Sequence, residues 1–490
     1  MQPTEVRSAD VARGGPLPSP SPSGVRRVRV VAALGPAFVA AVAYLDPGNF
    51  ATNFAGGSST GYRLVWVVVL ANLVAMPIQY LAAKLGVVTG RSLPQLCRST
   101  MSRPARRLMW AQAEIVAMAT DLAEFVGAAV GLNLLFGMPL ALAALVTAVL
   151  SFAVLAFQRR GHRPFELAVG FLLALICAGF LYLLMRVPPD PTGLLTGLVP
   201  APGGPDTLLL AVGIIGATVM PHAIYLHSGL MSTRVAAFSA GLADGATGVA
   251  ATAAAGVTAT AAAGVTATPG TAAGVAATAG AGSDAASDSV GVGATIGSAG
   301  GTGRRQLLRY VRVDIGIAMG IAGLVNLSML AIAAELFHTG PGTPALGLDA
   351  VHNGIGQIVG GSAALAFAAA LLASGISSSS VGTAAGQIIM DGFLNLKLPV
   401  WLRRAVTMAP ALALLLAGVD PTRALVLSQV TLSFGIPFAL GALLWLTSRR
   451  DIMGSHVNTR ATITAMTVVV TVLAGLNLLL LAQQFLGFTT

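Results

Sequence analysis

The feature that most constrains this chain is a recurrence of long apolar runs. Runs of about 20 residues, the length that crosses a bilayer as an α-helix, recur along almost the whole 490-residue sequence. Only 9% of the residues are charged and 55% are hydrophobic, whereas a soluble protein carries roughly 25% charged residues. So few charges cannot cover a water-facing surface. The sequence therefore predicts an all-α membrane protein with many spans.

The positions of Lys and Arg predict how these spans are oriented. We divide the runs into eleven transmembrane helices at residues 30–56, 63–86, 106–133, 138–157, 164–186, 206–231, 310–337, 355–389, 403–419, 423–447 and 459–485. Basic residues are concentrated before the first span and in every second gap after it. Because cytoplasmic loops carry the excess of Lys and Arg, we expect a cytoplasmic N-terminus, an extracellular C-terminus and a multi-pass protein of the cell (plasma) membrane. The net charge of +10 then reflects topology, and no nucleic-acid partner is expected.

Composition divides the chain into four parts. We expect a disordered cytoplasmic tail at 1–29, a first repeat plus helix 6 at 30–234, a low-complexity cytoplasmic insert at 235–303, and helices 7–11 at 304–490. The insert is Gly-, Ala- and Thr-rich and lacks the bulky side chains needed to fold, although an Ala-rich span is an alternative. A signal peptide cleaved after Ala43 is a further alternative. Cys97 and Cys177 are too few for a disulfide framework and are interpreted as free thiols.

A polar clump interrupts the first span, where the sequence reads YLDPGNFATN from Tyr44. Helix-breaking residues are tolerated at membrane depth only against protein or a cavity. The Pro47-Gly48 pair is expected to free backbone carbonyls in the preceding turn, including that of Ala43. Asp46 adds a carboxylate and Asn49 an amide oxygen, so the clump predicts a cation site. A kinked helix with a polar face is the alternative interpretation.

A second break is predicted in the sixth span, at Met220-Pro221-His222. Broken helices in first and sixth place are what a 5+5 inverted repeat of the leucine-transporter type produces, with the substrate between the breaks. Oxygen ligands alone would suit Mg²⁺ or Ca²⁺. A soft thioether at Met220 would favour transition metals such as Mn²⁺, Fe²⁺, Co²⁺ and Cd²⁺, although an ordinary core methionine remains possible.

Three acids lie in the third span. Glu114, Asp121 and Glu124 share one face of a helix by their spacing, and intramembrane acids are costly and usually functional. They predict a proton relay, or alternatively structural ion pairs of Glu114 and Glu124 with Arg403 or Arg404. An unperturbed histidine side chain titrates near neutrality, and His222 is the histidine at the second break. It could join the relay or could simply bond to backbone freed by Pro221.

The motifs DPGNFATN, TDLAE, MPHAIYLHS, ASGISSSSVGTAAGQIIMDGF, WLRRAVTMAP and LSQVTLSFGIPFAL occur in this order. They resemble the Nramp family (natural resistance-associated macrophage proteins), specifically bacterial proton-coupled manganese transporters, over about residues 30 to 485. The resemblance implies that metal is bound by the side chains of Asp46, Asn49 and Met220, by the carbonyls of Ala43 and Ala217, and by Gln429. It also implies a proton and salt-bridge network of Asp121, Glu114, Glu124, His222, Arg403 and Arg404. His227 lies in a matched motif without an assigned role.

The resemblance implies a secondary active transporter that imports a divalent transition metal with H⁺ symport by alternating access. Metal ion and proton are then substrates, and no cofactor, enzyme activity or obligate protein partner is expected; the partner is the lipid bilayer. Position 223 is Ala where many relatives have Asn, and position 376 is Ile where many have Gln. The alternatives are an amino-acid or other organic-solute symporter of the same fold, a Mg²⁺ transporter and a cation channel.

Overall fold

The computed structural model describes residues 43–158, 162–201, 203–243, 301–339, 347–396 and 398–486. The expected tail at 1–29, the first half of the first span and most of the insert lie outside these ranges. Within them, every regular element is a helix and none is a strand. The expectation of an all-α chain is therefore confirmed for the part of the protein that is described.

The helices are numbered here in chain order. They are α1 Pro47–Thr60, α2 Val65–Thr89, α3 Leu93–Thr100, α4 Arg103–Phe136, α5 Leu140–Gln158, α6 His162–Arg186, α7 Pro191–Thr196, α8 Pro205–Val219, α9 Pro221–Ala243, α10 Gly301–Ala333, α11 Leu348–Ile358, α12 Gly361–Leu394, α13 Val400–Leu416, α14 Pro421–Thr447, α15 Arg450–Met453 and α16 Arg460–Leu486. A π-helical turn at Ala334–Thr339 extends α10. Both α9 and α10 extend into the segment 235–303.

Seven helical stretches in the described ranges are long and apolar enough to cross a membrane, and two shorter apolar helices accompany them. One of the seven, Pro47–Thr89, contains both α1 and α2, and another, Pro205–Thr233, contains α8 and the start of α9. Each predicted span overlaps a helix. These findings support an integral membrane protein, whereas the number of eleven spans and the inverted repeat stay predictions.

One predicted boundary is wrong. We expected the eighth span to begin at residue 355, but α11 ends at Ile358 and α12 begins at Gly361. The two helices are separated at Gly360, whose φ of 121° lies in a region that residues with a side chain rarely adopt. The span therefore begins six residues later and continues to Leu394.

The acid-bearing helix α4 lies near the middle of the bundle. It packs along α12 and also contacts α5, α13 and α14. Of the helices that flank the two breaks, α1 and α9 contact α4, whereas α8 packs against α14; α1 also packs against α10. This arrangement buries polar residues that the sequence distributes over most of the long helices. Cys97 is buried and Cys177 is half-buried, and both are free thiols as expected.

Candidate functional site

The first break lies immediately before α1. Residues 44–46 are not helical, and Asp46 is the N-cap of α1 with extended backbone. Its Oδ1 accepts hydrogen bonds from the backbone N–H of Asn49 at 2.9 Å and from Asn49 Nδ2 at 2.7 Å. Side-chain capping of this kind satisfies a helix N–H group that has no partner inside the helix. Residues 44–46 are therefore not helical where the interruption is predicted, whereas the helix expected before them lies outside the described residues.

Carbonyls freed by this break are held by two other helices. Asn326 Nδ2 of α10 donates to Tyr44 O at 3.2 Å, and Ser374 Oγ of α12 donates to Leu45 O at 2.5 Å. Buried carbonyls are costly unless they are hydrogen-bonded, so these two side chains stabilise the unwound segment. No role was predicted for either side chain, although Ser374 lies in the matched motif ASGISSSSVGTAAGQIIMDGF. The available signal was their polarity within otherwise apolar spans.

The second break lies between α8 and α9, at Met220. This residue has φ 44° and ψ 91°, an uncommon conformation for a residue other than glycine. Pro221 has no N–H, so it cannot bond to the carbonyl of Ala217 four residues earlier. That carbonyl instead accepts from Asn49 Nδ2 at 3.2 Å. Asn49 thus links the two breaks directly, and both Met220 and Ala217 are fully buried there.

Gln429 of α14 packs against both breaks. Its Nε2 lies 3.5 Å from Asp46 Oδ2 and 3.1 Å from Ser428 Oγ. A Cβ placed at Gly48 would lie 1.9 Å from Gln429 Nε2, and a Cβ at Gly216 would lie 2.0 Å from the Gln429 carbonyl oxygen. Only glycine permits these approaches, so the two glycines determine how closely α14 packs against α1 and α8.

The chemistry of this junction suits a cation. Asp46 supplies a carboxylate that is only 2% exposed. Asn49 Oδ1 and Gln429 Oε1 are buried acceptors without a hydrogen-bond partner among the described residues. Buried oxygens of this kind are normally satisfied, so their orientation leaves acceptor capacity for an ion. Within the described ranges there is no group of three or more His, Cys, Asp and Glu arranged to hold a metal, so any cation here relies on amide, carbonyl and thioether groups too.

Beside this junction, the acids of α4 meet the arginines of α13. Arg403 Nη2 lies 3.2 Å from Glu114 Oε1, and Arg404 Nη1 lies 3.6 Å from Asp121 Oδ1. The expected pairing is therefore confirmed for Glu114, but Asp121 rather than Glu124 takes the second arginine. Glu124 forms no salt bridge to a described residue, and its Oε2 has no hydrogen-bond partner in that part of the chain. The sequence alone could not assign the partners because both arginines are adjacent.

Helix α12 completes the surroundings of these charges. Arg404 donates to the carbonyl and hydroxyl of Ser379 and to the hydroxyl of Thr383. A Cβ at Gly382 would lie 2.7 Å from Glu124 Oε1, and a Cβ at Gly386 would lie 1.7 Å from Arg403 Nη2. Glycine at these positions leaves room for a carboxylate and a guanidinium against the helix backbone.

The two histidines have different neighbours. His222 Nδ1 lies 3.0 Å from Thr120 Oγ1 of α4, so its described partner is a hydroxyl next to Asp121 rather than backbone freed by Pro221. His227 Nδ1 lies 2.9 Å from Gln79 Oε1 of α2, on the other side of α9. His222 therefore lies next to the acids of α4, whereas the contact of His227 with α2 assigns it no role in the site.

The remaining predicted residue, Ala43, is buried and lies four residues before Pro47. The structure thus brings Asp46, Asn49, Ala217 and Gln429 into one set of contacts, with Met220 in the adjoining break. It forms a second set from Asp121, Glu114 and the two arginines. These two sets are buried in one bundle of apolar helices, which defines an integral membrane protein with a polar site between two interrupted helices.

Comparisons with known proteins agree with this description. The model of the family "Natural resistance-associated macrophage protein-like" matches residues 37–483. The chain belongs to this family, as the motifs predicted. It is 42% identical over 473 residues, which are 96% of this chain and 93% of the relative, to the "Divalent metal cation transporter MntH" of Deinococcus radiodurans. It is 44% identical over 455 residues, 93% of this chain and 92% of the relative, to the protein of the same description from Mycobacterium tuberculosis.

The chain is also similar to solved structures of a metal transporter. The chain is similar to the crystal structure of the Eremococcus coleocola manganese transporter in complex with an aromatic bis-isothiourea substituted compound. The TM-score is 0.74 at 28% sequence identity, and the match covers 99% of this chain and 92% of that one. A mutant of the same transporter matches with a TM-score of 0.73 at 28% identity, over 96% of this chain and 91% of that one.

Proposed function

We propose that this protein is a secondary active transporter that imports a divalent transition metal ion, Mn²⁺ above all, together with protons. Its relatives are described as divalent metal cation transporters and as a manganese transporter, which supports metal as the transported substrate. The observation that carries the proposal is the junction of the two breaks. There, Asn49 contacts both Asp46 and the freed carbonyl of Ala217, and acceptor oxygens remain without partners among the described residues.

In this proposal the metal binds between the broken helices. Asp46 and Asn49 supply oxygen ligands, Ala217 a carbonyl and Met220 a thioether. Gln429 and the carbonyl of Ala43 would join the ion as the protein moves between its inward-open and outward-open states. Fe²⁺, Co²⁺ and Cd²⁺ are expected to share the site, because thioethers bind soft and borderline metals usefully and contribute little to Mg²⁺ or Ca²⁺.

We further propose that metal binding at Asp46 drives proton movement along the acids of α4. A divalent cation on Asp46 favours the ionised carboxylate. The proton that leaves would pass to Asp121 and then inward past Glu114, Glu124 and the two arginines. Arg403 and Arg404 lie close to Glu114 and Asp121, which supports such a relay. When a proton neutralises one carboxylate, its arginine can still be balanced by the next ionised acid. His222 contacts Thr120, the residue before Asp121, and is therefore placed to join this proton relay.

The residues at the two breaks do not suit an amino-acid symporter or a Mg²⁺ transporter. An amino-acid carboxylate would require free N–H groups at the break, but the N–H of Asn49 is already bonded to Asp46, and Asp46 would repel the substrate. A Mg²⁺ transporter would have no use for the buried thioether of Met220. We also propose that the protein resides in the cell membrane, acts without cofactor or obligate protein partner, and has no enzyme activity.

Uptake into proteoliposomes tests the function. The wild-type protein should accumulate Mn²⁺, faster with an inward proton gradient than without one. Asp46→Ala should reduce uptake to the level of empty vesicles, whereas Asp206→Ala, which changes an exposed acid in the first turn of α8, should not. Failure of the wild type to transport any divalent ion would refute the function, and full activity of Asp46→Ala would refute only the site.

Proton coupling requires a separate readout. Asp121→Asn should retain Mn²⁺ binding, measured by calorimetry on the purified protein, and should lose most of the acceleration by the pH gradient. An intact gradient dependence in this variant would show that protons do not pass through Asp121.

A further inference from the structure

A basic stripe runs along one face of α10. Arg305, Arg309 and Arg312 are spaced four and three residues apart, which places them on the same side of the helix. All three are exposed. Among the described residues, none of them forms a salt bridge with a carboxylate. The stripe therefore presents uncompensated positive charge at the end of α10 that is predicted to be cytoplasmic.

The stripe ends beside a buried lysine. Arg312 Nη2 donates to Tyr80 Oη of α2 at 3.1 Å, and its guanidinium carbon lies 4.7 Å from the centre of the Tyr80 ring. Lys84 follows one turn after Tyr80 on the same face of α2 and is only 8% exposed. Its Nζ donates to Asn458 Oδ1 at 2.5 Å. Within the described ranges this cation has an amide oxygen rather than a carboxylate as its partner, although buried cations are usually paired with anions.

The loop that follows α15 completes this group. Burial lowers the pKa of His456, and the positive charges of Arg304, Arg305 and Lys84 lower it further. The cationic groups of α2 and α10 therefore lie close enough together to act on one histidine, and their charges favour its neutral form. Mutual repulsion of such charges is costly near a low-dielectric boundary, so an anion bound here would stabilise the structure.

On the C-terminal side of the stripe, the same face of α10 is apolar and exposed. Val313 and Ile317 are 51% and 49% exposed. Gly316 and Gly320 follow at helical spacing, and a Cβ at either position would meet no atom within 4 Å. The face therefore has charged groups at one end and, at the other, an exposed apolar strip where Gly316 and Gly320 carry no side chain, here called the apolar channel. Its polarity matches that of a phospholipid.

We propose that the α2–α10 face binds an acidic phospholipid, with its phosphate on Lys84, Arg309 and Arg312 and an acyl chain along Gly316 and Gly320. Arginine forms paired hydrogen bonds to phosphate oxygens, and basic pockets between transmembrane helices are suited to anionic headgroups. Free phosphate shares the headgroup chemistry but would leave the apolar channel empty. The continuous charged and apolar surface therefore favours the lipid.

Lipid titration of the purified full-length protein in detergent tests this proposal. Phosphatidylglycerol should raise the unfolding temperature saturably and be retained as a bound adduct in native mass spectrometry. Phosphatidylcholine and inorganic phosphate should do neither. Equal effects of phosphatidylcholine, or of inorganic phosphate, would overturn the proposal of an acidic phospholipid site.

Two pairs of variants locate the site. The double variant R309Q/R312Q should weaken phosphatidylglycerol binding by about 30-fold, since each basic residue near an acidic lipid contributes roughly fivefold. The matched control R103Q/R107Q removes two exposed arginines from the start of α4 and should change binding less than about twofold, since neither residue lies on the α2–α10 face. An equal loss in both would mean that the attraction is general to the basic surface, and would refute the site.

A steric variant tests the acyl-chain position and does not depend on the arginines. Gly316→Leu together with Gly320→Leu fills the channel while all charges remain. Because a side chain meets open space at both positions, the protein should fold and should bind phosphatidylglycerol several-fold more weakly. Unchanged binding would refute the position of the chain. These readouts measure lipid and not uptake, so they remain informative if the transport proposal fails.

Discussion

The approach of Gln429 to Gly48 offers a sharp test of the proposed metal site. In Gly48→Ala, the new Cβ would lie 1.9 Å, 2.2 Å and 2.7 Å from Nε2, Cδ and Cγ of Gln429. Rotation of the terminal amide alone cannot relieve a contact with Cγ. The whole side chain must therefore leave its place beside Asp46, and the amide oxygen that is available for an ion leaves with it.

The structure sets the size of the effect. The amide oxygen of Gln429 is one of several proposed ligands. Its loss should cost about as much as the loss of a hydrogen bond to a charged group at the low end of its range, about 1.5 kcal/mol. A loss of about 1.4 kcal/mol is tenfold in affinity, so KM for Mn²⁺ should rise about tenfold. Stability should also fall, because overpacking costs about 1–3 kcal/mol, and the better helix propensity of alanine offsets only about 1 kcal/mol of this.

A double-mutant cycle with Gln429→Ala provides the decisive measurement. Initial rates of Mn²⁺ entry into proteoliposomes would be recorded for both single variants and for the double variant. If Gly48→Ala acts by displacing Gln429, it should have almost no further effect once that side chain is gone. Gly441→Ala on α14, where a Cβ meets no atom within 4 Å, should behave like the wild type. Effects of the two substitutions that multiply in the double variant would refute this reasoning.

Two further substitutions test other parts of the site. Gly386→Ala places a Cβ 1.7 Å from Arg403 Nη2 and should separate Arg403 from Glu114. Loss of a buried pair costs about 3–5 kcal/mol, so the unfolding temperature should fall by several degrees; an unchanged value would contradict the close packing. Met220→Ala should preserve measurable Mn²⁺ uptake but admit Ca²⁺ and Mg²⁺ better in competition assays, and unchanged selectivity would show that the thioether does not discriminate.

Local chemistry made both breaks predictable from the sequence. Proline lacks an N–H wherever it occurs, but Pro77, Pro410 and Pro437 lie inside continuous helices. The two breaks were therefore predictable because Pro47 and Pro221 stand among polar residues, which are costly at membrane depth. Asp46 beside Pro47 could be expected to lie at the helix start, because carboxylates cap N-termini. The all-α character and the break at Met220 were confirmed in the part of the chain that the structure describes. The interruption of the first span stays a prediction, since residues 1–42 lie outside that part, and the ligand roles of these residues remain proposals.

The ion-pair and hydrogen-bond partners of the buried charged residues were harder to predict from the sequence. One of two interpretations of the third span paired Glu114 and Glu124 with Arg403 or Arg404. The assignment of Asp121 to Arg404 instead depends on how α4 rotates against α13. The hydroxyls of Ser379 and Thr383, which bond to Arg404, were visible only as part of a matched motif. The separation of α11 from α12 was missed because a glycine within an apolar stretch gives a weak signal.

The amino-acid sequence by itself determined that this chain is an apolar helical protein with two interrupted helices and a few costly polar groups in their midst. These properties follow from residue chemistry and from spacing along a helix, which are local. Only the tertiary structure decided that Asn49 spans the two interruptions, that Gln429 reaches Asp46, and that Lys84 lies beside the arginines of α10. Such contacts join residues far apart in the chain. Their distances depend on how closely the helices approach one another, which is closest where a glycine lies at the contact.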